Sequence, residues 1–133
     1  MTVEEEYQDV LQNLEFAIVS IYRTTPDLID AEVLNAIDSL IRTYGAAAQG
    51  KSIGSRPIRG ISKEVAEAVA EMCEFRLGRS PRVDVEGNAI ESPPPISLNV
   101  LVDCLKRIQS SIKFWTKQQG RQGYLNYVQR FIA

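Results

Sequence analysis

The chain has 133 residues, no histidine, two cysteines and one tryptophan. Without an imidazole there is no His general base, no Ser-His-Asp triad and no His-containing metal site. Two cysteines can supply neither a four-cysteine zinc site nor a disulfide framework. Most common hydrolytic machinery is thereby excluded. The protein is expected to be non-enzymatic, with no cofactor and no catalytic or metal-ligating residue. Long apolar runs are missing as well: none approaches the roughly 18 residues that cross a bilayer, so no membrane role is expected. The opening MTVEEEYQDV lacks the basic flank and apolar stretch of a secretory leader. Cys73 and Cys104 fall at apolar positions of helical patterns and read as reduced core thiols, which makes the cytoplasm the expected location.

What is present suffices for one ordinary core. With 44% hydrophobic and 24% charged residues and a net charge of −2, residues 1–133 are expected to form a single all-α domain. Val3, Tyr7, Val10, Leu11, Leu14, Ala17, Ile18 and Ile21 recur at steps of three and four, which predicts a first helix to Arg23. Thr2 and Glu5 have capping-box spacing, and Glu4, Glu5 and Glu6 sit where a helix dipole favours negative charge. Thr25 and Pro26 start a second helix carrying Ile29, Val33, Leu34, Ile37, Leu40, Ile41 and Tyr44, with Gly45 as its stop. So short a connection predicts an antiparallel hairpin.

Three glycines and a proline between Gly50 and Gly60 predict a surface loop. Ser62 caps a third helix with Val65, Ala68, Val69, Met72 and Phe75 or Arg76, ending near Gly78, whose alanines predict a close helix contact. From Arg79 to Pro95 four prolines interrupt the pattern, and Val83 and Val85 before Glu86, Gly87 and Asn88 suggest a short β-hairpin near 83–90. Ser97 caps a fourth helix with Leu98, Leu101, Leu105, Ile108, Ile112 and Trp115. After a break from Gln118 to Gly123, Tyr124, Leu125, Val128, Phe131 and Ile132 predict a short fifth helix. The expectation is a small bundle of about five helices, two antiparallel helical hairpins flanking a middle helix. Residues 14–41 slid over 105–132 share seven identities, mostly at periodic apolar positions that any two helical hairpins would align.

One stretch matches a named chemistry. Gly45-Ala46-Ala47-Ala48-Gln49-Gly50-Lys51-Ser52 resembles the Walker A phosphate loop G-x-x-x-x-G-K-S/T. That resemblance implies backbone N–H groups around phosphates, Lys51 on the terminal phosphate and the Ser52 hydroxyl on magnesium, between a buried strand and a helix. The flanks read otherwise: Leu40 to Tyr44 continue a helix, and Gly54 and Pro57 stop one from following. Val100-Leu101-Val102-Asp103 imitates a Walker B strand but lies within the fourth helix, with Asp103 on its solvated side. The expected identity of the stretch is a helix end leading into a basic loop, with a phosphate or nucleotide site as the alternative.

Charge is distributed unevenly. Residues 1–50 carry two basic and nine acidic side chains, 51–82 seven and four, and 83–133 six and four. Lys51, Arg56, Arg59, Lys63, Arg76, Arg79 and Arg82 form a candidate basic contact patch for a phosphate, a nucleic acid or an acidic peptide. Against a nucleic acid stand the sequence pI near 5.2 and the lack of interleaved aromatics. Phe114, Trp115, Tyr124 and Tyr127 form a candidate aromatic interface, with Phe114 and Tyr127 off the main apolar stripes. Glu64, Glu67, Glu71 and Glu74 line one helix face and read as solvated. The expected function is that of an interaction or regulatory module that self-associates, as a dimer, or binds another protein; a nucleic-acid accessory role through the basic loops is the further alternative.

Overall fold

A computed structural model describes residues 3–24, 30–51, 63–91, 93–119, 122, 123 and 126. Among them are four helices: α1 (Val3–Thr24), α2 (Asp30–Ala48), α3 (Lys63–Arg76) and α4 (Leu98–Gln119). The all-α class is as the periodicity requires. The starts of α1 and α4 carry the local chemistry that helices need. Glu4, Glu5 and Glu6 occupy the first turn of α1, opposite in sign to the partial positive charge there. The Ser97 hydroxyl accepts the Val100 N–H at 3.2 Å, satisfying one of the orphan donors at the start of α4.

A single core cluster joins all four helices. Its fully buried side chains are the predicted stripes: Val10, Leu14 and Ile18 from α1, Val33 and Ile37 from α2, Val65 and Val69 from α3, and Leu101, Leu105, Ile108 and Ile112 from α4. Val19, Ala36, Ala66 and Ile96 join them outside the residues that the pattern singled out. Ala66 of α3 is buried in this core.

Two expectations are corrected, and a third falls largely outside the described residues. The first expected hairpin does not form: α1 and α2 do not pack side by side, while the second, of the fourth and fifth helices, lies partly outside the described residues. Both α1 and α2 pack on α3 and α4, whereas α1 against α2, and α3 against α4, make at most marginal contact. The order around the bundle is therefore α1, α3, α2, α4, with α1 opposite α2 and α3 opposite α4. A short link holds two helix ends near each other but does not dictate which flanks touch; the shared core does. The β-hairpin reduces to one isolated antiparallel bridge, Val83 to Ala89, because a tight turn leaves too few residues on either side for a ladder. The fifth helix is not established: Tyr124, Leu125, Val128, Phe131 and Ile132 lie outside the described residues, while Gln122, Gly123 and Asn126 are helical. The predicted caps Thr2, Thr25 and Ser62 also lie outside them.

Candidate functional site

The Walker-like stretch is the end of a helix. Gly45 does not stop α2, which continues through Ala48. Gly50 is the residue beyond the cap, with a left-handed φ of 73°. Its N–H donates to Ala47 O at 3.0 Å, and the Lys51 N–H donates to Ala46 O at 2.8 Å. These two bonds make a Schellman motif, and glycine takes the left-handed position because it has no Cβ to clash. The N–H groups of Gln49, Gly50 and Lys51 all point at helix carbonyls. A phosphate loop needs such donors aimed at the ligand, so this segment offers no backbone cradle. Ser52 lies outside the described residues.

The same helix end nevertheless borders a depression. Tyr7 from α1, Gly45, Ala48 and Gln49 from the end of α2, and Asn99, Val100, Val102, Asp103 and Lys106 from the first turns of α4 line a concave space of about 340 Å3. Nothing lies within 4 Å of where a Gly45 Cβ would be, so the bare backbone of α2 faces open space there. The Tyr7 hydroxyl donates to Asp103 Oδ2 at 3.2 Å; partial desolvation, and then that carboxylate, raise its pKa. Arg107 stacks over the Tyr7 ring with its guanidinium carbon 4.4 Å from the centroid and reaches Glu4 at 3.9 Å. Asp103 is thus engaged by Tyr7. Lys106 is exposed at the rim. Sequence reading missed this site because its lining comes from three helices; the small pair Gly45 and Ala48, three apart on a helix, is the one local signal of it.

Four of the seven basic-patch side chains lie among the described residues. Arg76 turns inward, a correction to its place among the contact residues: it is 5% exposed, and its Nη1 donates to Asp9 Oδ2 at 2.7 Å and to Asn13 Oδ1 at 2.9 Å on α1. A guanidinium in that position ties α3 to α1 and is withdrawn from solvent. Arg79 pairs with Glu74 at 3.8 Å. Arg82 lies back on α3, its Nη1 at 3.6 Å from Met72 Sδ and its guanidinium over the Phe75 ring at 5.9 Å. Lys51 is exposed beyond the cap of α2. Arg56, Arg59 and the Lys63 side chain lie outside what the structure describes.

Between α3 and α4 the chain leaves the bundle and returns. The base of this arm is fixed. Gly78, at φ 76°, closes a second Schellman motif through Gly78 N–H to Phe75 O and Arg79 N–H to Glu74 O. Ile96 is buried, and its N–H donates to Arg76 O at 3.0 Å. Beyond Arg82, every residue from Val83 to Glu91 is exposed. The tip is a tight turn: Gly87 N–H donates to Asp84 O at 3.1 Å, and Asp84 Oδ1 accepts the N–H groups of Glu86 and Asn88. Val83 is 64% exposed, and Val85 is fully so at 104%.

Of the aromatic interface, Phe114 is 61% exposed and meets half-buried Trp115 edge-on, with ring centroids 6.4 Å apart. Tyr124 and Tyr127 lie outside the described residues. The glutamate ladder is exposed at Glu64, Glu67 and Glu71, while Glu74 accepts the Tyr44 hydroxyl at 2.9 Å. Burial raises the Tyr44 pKa, and the neighbouring Cys73 and Glu74 add to the shift. Cys73 and Cys104 are both free and buried. Burial pushes the Cys73 thiol up to about 12 and the Cys104 thiol to about 11, so both are protonated and poor nucleophiles. Among the described residues no three side chains of metal-ligating type come together, and no helix is long and apolar enough to cross a membrane. Compared with known proteins, the chain matches no family model, no curated protein and no solved structure.

Proposed function

We propose that the protein is a non-enzymatic cytoplasmic interaction module that associates with a second copy of itself. The observation that carries this reading is the arm. Val83, Val85 and Ile90 stand in solvent on one projecting segment, outside a bundle whose core is already filled. Scattered exposed apolar residues are ordinary, but three within eight positions on a projecting turn form a contact surface. Phe114 on α4 is a further exposed apolar side chain away from the arm. The charge distribution supports association between copies, since residues 1–50 hold nine acidic and two basic side chains against thirteen basic and eight acidic in the remainder.

Sedimentation velocity from about 5 μM to 1 mM tests the reading, because interfaces below the standard size class associate weakly. A dimer whose population rises with protein concentration is expected. A monomer across the whole range overturns the reading.

A further inference from the structure

Opposite helices of the bundle present opposite charge. α3 exposes Glu64, Glu67 and Glu71, and steps of three and four put them on one helix face. α4 exposes Lys106, Lys113 and Lys117, and steps of seven and four keep them in a single row along the helix. Residues 104–133 carry six basic side chains and no acidic one. Phe114, 61% exposed, stands beside the lysine row. Because α3 and α4 lie across the bundle from each other, the two faces point apart and do not meet within one chain. Carboxylates on the other two helices already have cations: Glu4 of α1 has Arg107, Asp9 of α1 has Arg76, and Asp38 of α2 has Arg42. Glu64, Glu71, Lys106, Lys113 and Lys117 have no ion-pair partner among the described residues.

We infer that the glutamate face of α3 on one copy docks against the lysine face of α4 on a second copy. The inference rests on the self-association proposed above and assigns a charged contact to it. The spacings match. Glu64 and Glu71 are seven residues apart, as are Lys106 and Lys113, so both pairs span about 10.5 Å of helix and the two rows meet in register. Three carboxylates facing three ammonium groups form a network, which holds where an isolated surface ion pair contributes little. Phe114 adds apolar area beside the charged seam. The contact joins two different surfaces and is therefore heterologous. Each joined pair keeps one free glutamate face and one free lysine face, so association continues head to tail beyond two copies as concentration rises.

Reversing the charge of one face at a time tests this, the substituted residues all being exposed. A chain with Glu64→Lys and Glu71→Lys has both faces basic, and a chain with Lys106→Glu and Lys113→Glu has both acidic. Each alone is expected to associate at least about tenfold more weakly than wild type in sedimentation velocity. An equimolar mixture of the two is expected to return within about threefold of wild type, because every seam then joins opposite charges again. Far-UV spectra and thermal midpoints are the controls for folding. The single variants Glu71→Lys and Lys113→Glu, each expected to weaken association about threefold, repeat the test with less change to the surface. Reversed chains that associate as wild type does overturn the docking and leave self-association standing; loss of association in Val85→Asp then places the contact at the arm. A mixture that fails to recover also overturns the docking. A wild type that is monomeric at every concentration removes the functional reading and this docking with it. Binding of a fluorescent oligothymidylate by that monomer, lost in the chain with Lys106→Glu and Lys113→Glu, would assign the lysine face to a polyanion instead.

Discussion

A buried arginine at the end of a short helix has two partners and one unmet need. Arg76 Nη1 serves Asp9 and Asn13, but its Nε is buried with no hydrogen-bond partner among the described residues. Burying such a group is costly, and removing one partner costs more than removing the pair's buried charge. Asp9→Ala is therefore expected to destabilise by about 2–4 kcal/mol, the Asp9 side chain being half exposed, whereas Arg76→Met should stay within about 1–2 kcal/mol. Urea unfolding of the two variants checks the order; a costlier Arg76→Met would mean that the ion pair is a net stabiliser. The two thiols make a pH prediction. Their ordinary pKa near 9 holds in the unfolded chain, against about 12 and 11 when folded. Above pH 9 the unfolded chain sheds protons that the folded one keeps. Stability is thus fully present below about pH 9 and falls as pH rises toward 11 and 12, by up to about 1.4 kcal/mol per pH unit for each thiol. Urea midpoints from pH 8 to 10.5 should show that fall, and Cys73→Ala should flatten it. The burial of both cysteines was legible from their periodic positions. The inward turn of Arg76 was not, because arginine lies at an apolar position only in register with a carboxylate and an amide on another helix.

At the scale of elements, two glycines in related sequence settings have opposite requirements. Gly45 is inside α2 with open space around it, so Gly45→Ala is expected to stabilise by about 0.5–1 kcal/mol. Gly78 closes α3 at φ 76°, and a Cβ there would stand 2.9 Å from Pro95 Cγ. Gly78→Ala should therefore cost more than about 1 kcal/mol, through the left-handed backbone and the loosened base of the arm. Calorimetric midpoints moving in opposite directions are the expected result, each kcal/mol being worth about 3–5 °C at this chain length. Helix starts were readable at α4, where Ser97 caps as its sequence position implies. The end of α2 was misplaced by three residues, because a glycine inside an alanine-rich run is tolerated when a second glycine five residues on can take the left-handed position. The hairpin was overcalled for a similar reason: Val83 and Val85 alternate as a strand does, but the turn begins at Asp84 and consumes the alternation.

For the whole molecule, self-association through the arm makes a prediction about salt. Association between copies is supported by the acidic excess of residues 1–50 against the basic excess of the remainder, so raising ionic strength from 0.05 to 0.5 M should weaken the dimer several-fold, as screening shortens the reach of exposed charges. The Val85 contribution should persist, leaving a residual dimer at high salt; a dimer that strengthens steadily with salt would point instead to an apolar interface such as the Phe114 face. Neither the arm nor the depression was legible as a site in the sequence. The depression gathers Tyr7, Gly45 and Lys106 from helices separated by dozens of residues, and of the basic patch Arg76 is buried and Arg82 lies on Phe75.

Periodicity determined by itself that the chain is helical, which faces of its helices are apolar, and that the two thiols lie inside. Those properties follow from spacings of three and four residues, which a helix converts directly into a face. Tertiary structure alone decided that α1 sits opposite α2 and α3 opposite α4, that the phosphate-loop lookalike spends its N–H groups on a helix cap, and that an exposed arm leaves the bundle between α3 and α4. Each depends on which side chains meet across long separations, and a local pattern carries no record of that.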